Sequence, residues 1–372
     1  MSMLKNKFLK MGLILAFITA FFGCTNDADD FPTNEEKAIE VLESLQSGDA
    51  SAIQNYVSPT KYKQHNLGFP DGRQVLINAI NSGNLDGTTV DIIRYFTDDD
   101  HVVVHSDYSF MGVKQVGIDV FRFENGLIVE HWDNLQVADG NEVSDVNGNT
   151  MLDGTKDIVD VHLTEKNKDL VTRFVEEVLV GGSTEDFDDF FNPDDDGTGA
   201  NYIQHNPDFP NGTAAIKGYL ENLEDNGDSL YSKLHFVHGE GNFVLTMSEG
   251  EDKTTNPQKR QNPPNPQNPP NPPDPQNPPN PPNPHNPPNP HNPPDPHNPP
   301  NPQNPPDPQN PPDSQNPPDP QNPPDSQNPP IPPKTKAYFD LFRLEGGKIV
   351  EHWDVIQDIP PVDQWVNTNG KF

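Results

Sequence analysis

Residues 340–354 read Asp340-Leu341-Phe342-Arg343-Leu344-Glu345-Gly346-Gly347-Lys348-Ile349-Val350-Glu351-His352-Trp353-Asp354. Nearly the same sequence stands at 119–133, where the chain reads Asp-Val-Phe-Arg-Phe-Glu-Asn-Gly-Leu-Ile-Val-Glu-His-Trp-Asp. In both copies, two runs of β-branched and aromatic residues flank a glycine-containing turn, a pattern typical of a β-hairpin. An Asp, an Arg, a His and a second Asp have the same spacing in each copy.

The length of the turn determines which side chains share a face of this hairpin. A three-residue loop over 124–126 would pair Phe123 with Leu127 and place Asp119 opposite His131. Residues that alternate along a strand share a face. One predicted face therefore holds Asp119, Phe121, Val129, His131 and Asp133. The other holds Val120, Arg122, Ile128, Glu130 and Trp132. A two-residue Asn-Gly turn would shift the pairing by one residue, and the longer loop is favoured because it gathers two acids and a histidine beside apolar residues.

The composition limits the classes of partner. The chain has 372 residues, 45 of them proline, and a net charge of −33. A surface this acidic disfavours binding to nucleic acid or to an anionic membrane surface. The length allows two or three domains, and the proline content means that part of the chain is not globular.

Residues 1–24 are predicted to be a signal peptide. Lysines at positions 5, 7 and 10 precede an apolar run over 11–22 that is too short to span a bilayer comfortably. Cys24, the only cysteine, follows. The segment resembles a bacterial lipoprotein signal, in which this cysteine is acylated; an ordinary signal peptide with an incidental cysteine is the alternative. We expect an exported protein of the cell envelope, held at the outer membrane or cell surface through a lipid on Cys24 alone.

The order of the predicted elements repeats along the chain. Residues 33–140 carry three helical patterns and four strand patterns, residues 161–365 repeat them, and residues 141–160 form a polar linker. Thr33 and Glu36 form a capping box at the first helix, and Thr164 is expected to cap its counterpart. Helices followed by antiparallel strands are an α+β layout, and each copy is long enough to bury its own core.

A proline-rich tract interrupts the second copy. Residues 254–333 repeat Gln-Asn-Pro-Pro-Asp-Pro with close variants, which predicts polyproline II or disorder. The first copy has only a short turn near Gly112 at this place. We therefore expect an insertion at a hairpin tip, where the entropy of closing a loop grows slowly with its length. The polar linker lacks the Glu that would close a calcium loop, and we predict neither a metal nor a cofactor.

A third motif accompanies the hairpin. Tyr62-Lys63-Gln64-His65-Asn66 in the first copy matches Tyr202-Ile203-Gln204-His205-Asn206 in the second. Together with Asp-φ-Phe-Arg (φ an apolar residue) and Ile-Val-Glu-His-Trp-Asp, it closely resembles the SnoaL-like group of the nuclear transport factor 2-like superfamily. The resemblance covers nearly all of 33–140 and 160–365 apart from the insert. It implies two tandem cone-shaped domains, each with three helices packed on a curved antiparallel sheet around a deep pocket. Enzymes and plain binders share this fold.

The pocket face suggests general acid–base chemistry. Burial raises the pKa of a carboxyl group and a histidine partner lowers it, so the balance can sit near neutrality. In the second copy we predict that His352 acts with Asp340 or Asp354, while His205 or Asn206 orients the ligand's oxygen. The same roles in the first copy fall to His131, Asp119, Asp133, His65 and Asn66. The residues predicted to line the ligand are Phe121 and Phe342.

The resemblance to ketosteroid isomerase assigns positions within this set. Asp119 and Asp340 stand where that enzyme keeps a protonated pocket Asp. His65 and His205 stand near the position of its base, with the neighbouring asparagines as the alternative. Each assignment has a structural alternative, in which the Asp residues only pair with a neighbouring Arg or His, and the two histidines cap the following loop.

The opposite face is predicted to be structural. Arg122 and Arg343 are expected to pair with Glu130 and Glu351 there. The two copies are expected to pair within one chain as a pseudo-dimer that buries Trp132 against Trp353, which predicts a monomer. The predicted partner is a small apolar or carbonyl-containing molecule. The sequence favours a SnoaL-like enzyme that catalyses aldol-type cyclisation, isomerisation or dehydration; a non-enzymatic binder of a small apolar ligand is the alternative.

Overall fold

A computed structural model describes residues 31–110, 112–192, 201–251 and 334–372. The predicted signal peptide with Cys24 and the proline-rich tract 254–333 lie outside these residues. Within the described ranges, no helix is both long and apolar enough to cross a bilayer.

The first unit packs three helices on a five-stranded sheet. Its helices are α1 (Asn34–Ser47), α2 (Ser51–Tyr56) and α3 (Arg73–Asn81). Its strands are β1 (Lys63–Gln64), β2 (Thr89–Asp98), β3 (His101–Phe110), β4 (Val113–Glu124) and β5 (Leu127–Val137). The sheet order is β1-β5-β4-β3-β2. Because β1 runs parallel to β5, the sheet is mixed and not purely antiparallel as predicted.

The second unit repeats this topology, with the sheet order β6-β10-β9-β8-β7. Its helices are α4 (Thr164–Arg173), continued by a π-helical segment (Phe174–Val180), and α5 (Thr213–Asp225). Its strands are β6 (Ile203–Gln204), β7 (Lys233–Glu240), β8 (Phe243–Glu251), β9 (Thr335–Glu345) and β10 (Lys348–Asp358). Glu251 pairs with Thr335, so the chain leaves β8 and returns to β9 at the same end of one hairpin.

The helices begin only partly as the sequence predicted. The capping box of Thr33 and Glu36 is confirmed, and Gly48 ends α1 in the left-handed conformation that favours glycine. Thr164 is the first residue of α4 and not its cap; its hydroxyl accepts a hydrogen bond from Gly241 N–H. A 3₁₀ turn over Phe187–Phe190 stands where the first unit has α2.

Each unit has its own core between helices and sheet, and a third apolar layer contains residues of both sheets. This shared layer includes Trp132 and Trp353, both buried. Asn134 on β5 crosses it, and its side-chain amide donates to the carbonyls of Ala337 and Val355 at 3.0 and 2.6 Å. The helix-facing and partner-facing sides of each sheet are therefore both buried.

Two chain segments cross from one unit to the other. The first arm (residues 144–153), which lies in the predicted linker, reaches the loop after β6: Asn147 donates to the carbonyls of Asn206 and Phe209 at 2.8 and 2.9 Å. The second arm (residues 366–372) reaches the loop after β1: Asn367 donates to the carbonyls of Asn66 and Phe69, also at 2.8 and 2.9 Å. Each unit is thus hydrogen-bonded to the chain segment that follows the other unit.

Asn367→Ala should destabilise the protein. The substitution leaves two loop carbonyls without their donor, which costs on the order of 1–3 kcal/mol of unfolding free energy. Asn147→Ala should cost a similar amount, because its contacts match. Urea unfolding measures both losses, with the exposed Thr368→Ala as the control. If Asn367→Ala unfolded at the same urea concentration as the control, the hydrogen bonds of the arm would not stabilise the protein.

Candidate functional site

The turn of each central hairpin is two residues long, so the predicted three-residue loop is wrong. Glu124 pairs with Leu127, and Glu345 pairs with Lys348. The turns are Asn125-Gly126 and Gly346-Gly347, and all four residues have positive φ, as a type I′ turn requires. Asp119 consequently lies opposite Asp133 and not opposite His131.

A β-bulge restores the predicted polar face. The pairing shifts by one residue between Arg122 and Phe123, which leaves Val129 as the extra residue; Val350 is its counterpart. Beyond the bulge, Asp119, His131 and Asp133 lie on one face, as predicted. Before it the alternation is reversed, and Ile128 packs in the core of the first unit.

The first triad (Asp119, His131, Asp133) lies between the sheet and the helices and is almost completely buried. His131 Nε2 is 2.9 Å from Asp119 Oδ1, and Asn66 donates to Asp133 Oδ2 at 2.7 Å. The ring of Phe121 stacks on His131 with centroids 4.4 Å apart. The structure thus brings together the predicted Asp, His, Asp, Asn and Phe.

The second triad (Asp340, His352, Asp354) repeats this geometry. His352 Nε2 is 3.1 Å from Asp340 Oδ1, and Asn206 donates to Asp354 Oδ2 at 2.6 Å. Phe342 stacks on His352 with centroids 4.8 Å apart. The three side chains of each triad each offer an atom within 4.8 Å of the other two, which is close enough for their charges to interact strongly.

A glutamine that the sequence analysis overlooked sets the hydrogen positions on each histidine. Gln64 Oε1 accepts the Asn66 N–H at 3.0 Å, which turns its Nε2 toward His131 Nδ1 at 3.2 Å. His131 Nδ1 therefore accepts, and the ring hydrogen lies on Nε2. In the second unit, Gln204 Oε1 itself lies 3.1 Å from His352 Nδ1. That contact needs a hydrogen on Nδ1, while Nε2 faces Asp340.

A tyrosine donates to the first Asp of each triad from a different place. Tyr108 on β3 donates to Asp119 at 2.6 Å and packs over Gly117, where an added Cβ would lie 2.6 Å from its ring. In the second unit Gly250 stands at the position matching Tyr108, and Tyr231 supplies the phenol, at 2.9 Å from Asp340 Oδ1. Both units therefore have a phenol donor at this aspartate, although it comes from Tyr108 in one and from Tyr231 in the other, because a buried carboxylate needs hydrogen-bond partners.

His65 and His205 lie on the other face, so their predicted position beside the triads is wrong. Strand alternation turns them away from Gln64 and Gln204. His65 stacks on Trp132, and His205 on Trp353, each with centroids 4.6 Å apart. Their Nδ1 atoms lie 2.9 and 2.7 Å from the arm carbonyls of Gly370 and Thr150. These histidines therefore hydrogen-bond to the arms, and Asn66 and Asn206 lie beside the triads instead.

The arginines of this other face form the predicted ion pairs. Arg122 Nη2 lies 2.7 Å from Glu130, and Arg343 Nε lies 2.5 Å from Glu351. The same glutamates accept from the two histidines at 3.0 and 2.8 Å. The charges of this face therefore satisfy one another.

Burial controls the electrostatics of the triads. It raises the pKa of Asp119, despite hydrogen bonds from His131 and Tyr108 that act the other way. It raises the pKa of Asp354 to about 6, where the charge of His352 opposes the shift and the charge of Asp340 adds to it. For His352, burial disfavours the charged ring, but Asp340 and Asp354 outweigh burial and raise its pKa.

A cleft of about 610 Å³ lies next to Tyr62, and its lining includes no residue of the first triad. Tyr62 lines it, and the Tyr62 hydroxyl lies 3.4 Å from His131 Nδ1. Burial raises the pKa of Tyr62, which keeps its phenol protonated. This side chain is the one that the cleft and the hydrogen-bond network of the triad share.

The comparison with known families agrees with this fold. Residues 38–131 match the model of the SnoaL-like domain family. The first unit is a SnoaL-like domain. The second unit has the same strand order and the same register around its triad, so the chain carries two tandem nuclear transport factor 2-like α+β folds. No curated protein sequence matches the chain.

Several solved structures are similar to about a quarter of the chain. An NTF2-like protein of unknown function from Cytophaga hutchinsonii is 13% identical, with 28% of this chain and 92% of that chain covered and a TM-score of 0.26. The putative polyketide cyclase IdmH from Streptomyces antibioticus is 17% identical, with 28% and 92% covered and a TM-score of 0.25. An LEH-like epoxide hydrolase of M. tuberculosis is 18% identical, with 28% and 83% covered and a TM-score of 0.25. Scores this low carry no argument about activity.

Asp354→Asn should change how stability depends on pH. The folded protein binds the Asp354 proton with a pKa of about 6, against 3.8 as the ordinary value. Since the unfolded chain loses this proton first, the wild type loses stability as the pH rises between these two values. The variant does not titrate there, so its stability relative to wild type should rise by about 2 kcal/mol from about pH 4 to pH 7. Urea unfolding at both pH values measures this gain, and Asp363→Asn is the exposed control. An equal difference at both pH values would contradict the assignment.

Proposed function

We propose that this SnoaL-like protein is an acid–base enzyme acting on a small carbonyl compound, by aldol-type cyclisation, isomerisation or dehydration. One observation carries the proposal. In both units a histidine lies within hydrogen-bond distance of one buried Asp, and a second buried Asp faces the first across the hairpin. Such a set can take up and return a proton near neutral pH.

The geometry of the second triad suggests the role of each group. Asp354 Oδ1 has no hydrogen-bond partner among the described residues, so this oxygen can take a proton from the carbon next to the carbonyl. The C–H electron pair then forms an enolate, and the protonated His352 stabilises its oxygen by charge. Asn206 holds the other oxygen of Asp354 and thereby fixes the direction of the base. Return of the proton to another carbon completes an isomerisation.

A non-enzymatic binder of a small apolar ligand is the second candidate. The triads are buried, and their side chains are largely hydrogen-bonded to one another and to their neighbours. Such an arrangement suits a rigid polar surface that contacts a bound ligand without reacting with it. The predicted export signal also favours this candidate, because carbonyl intermediates of polyketide type are usually handled inside cells. In either case, the apolar layer shared by both sheets supports a pseudo-dimer within one chain.

Hydrogen–deuterium exchange separates the two candidates. A panel of small cyclic ketones is incubated with the protein in D₂O, and loss of the α-proton signal is followed by NMR. An enzyme should accelerate the exchange, and His131→Gln combined with His352→Gln should reduce the acceleration by at least about 100-fold. The exposed His162→Ala is the control. Ketones that bind, as shown by a shift in melting temperature, without any accelerated exchange would support the binder and overturn the enzyme.

We also propose that the protein is exported and lipid-anchored at Cys24, as the N-terminal sequence suggests. Expressed in a bacterium grown with a labelled fatty acid, the wild type should carry the label and fractionate with membranes. Cys24→Ser should lose the label and leave the membrane fraction, because one thiol is the only acylation site. A labelled Cys24→Ser protein would contradict the proposal.

A further inference from the structure

The two arms match position by position until one residue breaks the pattern. Asn149 donates to the backbone carbonyl of Gln204 in the second unit, and Asn369 donates to that of Gln64 in the first unit, both at 2.9 Å. The next carbonyl along each arm accepts from the outer-face histidine. The residue after that is Met151 in the first arm and Lys371 in the second. Each arm thus delivers a different side chain to the other unit.

Lys371 is a buried cation beside the first triad, with only 6% of its surface exposed. Its ammonium donates to the carbonyl of Asp133 and to Gln357 Oε1, both at 2.6 Å, and lies 3.7 Å from Asp133 Oδ1. A buried ammonium needs an opposite charge close by. The carboxylate of Asp133 is the acid with which it forms an ion pair.

Within the described part of the chain, no lysine or arginine takes this place beside the second triad. Met151 is buried in the apolar layer shared by the sheets, and among the described residues no Lys or Arg forms an ion pair with Asp354. The histidines differ in the same sense. His131 accepts at Nδ1, whereas His352 faces acceptors at both ring nitrogens. The two histidines therefore have different hydrogen-bond partners, and only the first triad has a lysine charge beside it.

We propose that Lys371 makes the two triads unequal by giving the first a fixed counter-charge, so that the second triad is the one that exchanges protons with a substrate. The inference rests on the proposed acid–base function and names the unit that performs it. Lys371 acts through Asp133 and is a positioning residue. The first triad, whose Asp133 already forms an ion pair with a lysine, holds its unit together or binds without exchanging protons.

The remaining charged and titratable neighbours do not remove this difference. Around Asp354 they are His352, Asp340, Asp208, Tyr202 and Tyr231. Around Asp133 they are His131, Asp119, Tyr62, Tyr108 and Lys371. Histidine, aspartate and tyrosine occur in both sets, and the lysine occurs in one.

Exchanging the two arm residues tests the proposal. In the full chain labelled with ¹³C at aspartate Cγ, one buried carboxyl, assigned with Asp354→Asn, should titrate near pH 6. Lys371→Met should raise the midpoint of one first-triad carboxyl by at least about one unit, because it removes an opposite charge; that carboxyl is assigned with Lys371→Met combined with Asp133→Asn. Met151→Lys should move the Asp354 midpoint down by at least about one unit, since an opposite charge within a few ångströms lowers a carboxyl pKa. An unchanged set of midpoints in folded Lys371→Met would overturn the proposal.

This titration needs no substrate, so its outcome is independent of whether a ketone is turned over. In the exchange assay, His352→Gln should lose at least about tenfold more activity than His131→Gln, and Met151→Lys should shift the pH profile. Equal losses from the two histidine variants would overturn the assignment to the second triad, although the acid–base function itself would stand. If Met151→Lys failed to fold, Lys371→Met would decide the question alone, because it introduces the residue that the matching arm already carries.

Discussion

In each unit, two aspartates face each other directly across the central hairpin, buried between the sheet and the helices. Two buried carboxylates with oxygens within 4.8 Å of each other cannot both be charged unless other groups compensate. The surroundings supply that compensation: a histidine and a tyrosine at the first aspartate, and an asparagine at the second. The second aspartate of the first unit also has the lysine of the second arm. The chemistry of the site follows from how completely each pair is neutralised.

The sequence was sufficient to predict the fold and most of the site. The repeated hairpin and the Tyr-x-Gln-His-Asn motif led to two α+β units with an Asp, a His and an Asp on the pocket face. The predicted register was wrong, because the turn has two residues and a bulge follows at Val129. The predicted face was nevertheless correct, because the bulge compensates for the shorter turn. Alternation beyond the turn cannot distinguish the two solutions, since the bulge cancels the slip of one residue.

The errors at His65 and His205 have a different origin. In the Gln-His-Asn motif the histidine is the most reactive residue, and the resemblance places it near the base of ketosteroid isomerase. Along β1 and the residues that directly follow it, however, Gln64 and Asn66 contact the triad and His65 lies on the other face. The strand itself, two residues long, was not recognised, and neither were the arms. A signal for the arms was present in Val146-Asn147-Gly148-Asn149 and Val366-Asn367-Thr368-Asn369, which are repeated like the hairpin.

The crossed arms explain how two copies of one site can become different. Each arm belongs to one unit by sequence but completes the surroundings of the other. A substitution in an arm therefore alters the electrostatics of the opposite triad without changing the triad or its own helices and strands. Met151 and Lys371 are such a pair. The duplicated chain can pair one aspartate of the first triad with a lysine and leave the matching aspartate, Asp354, with a raised pKa. The difference between the units then lies in what each receives from its partner.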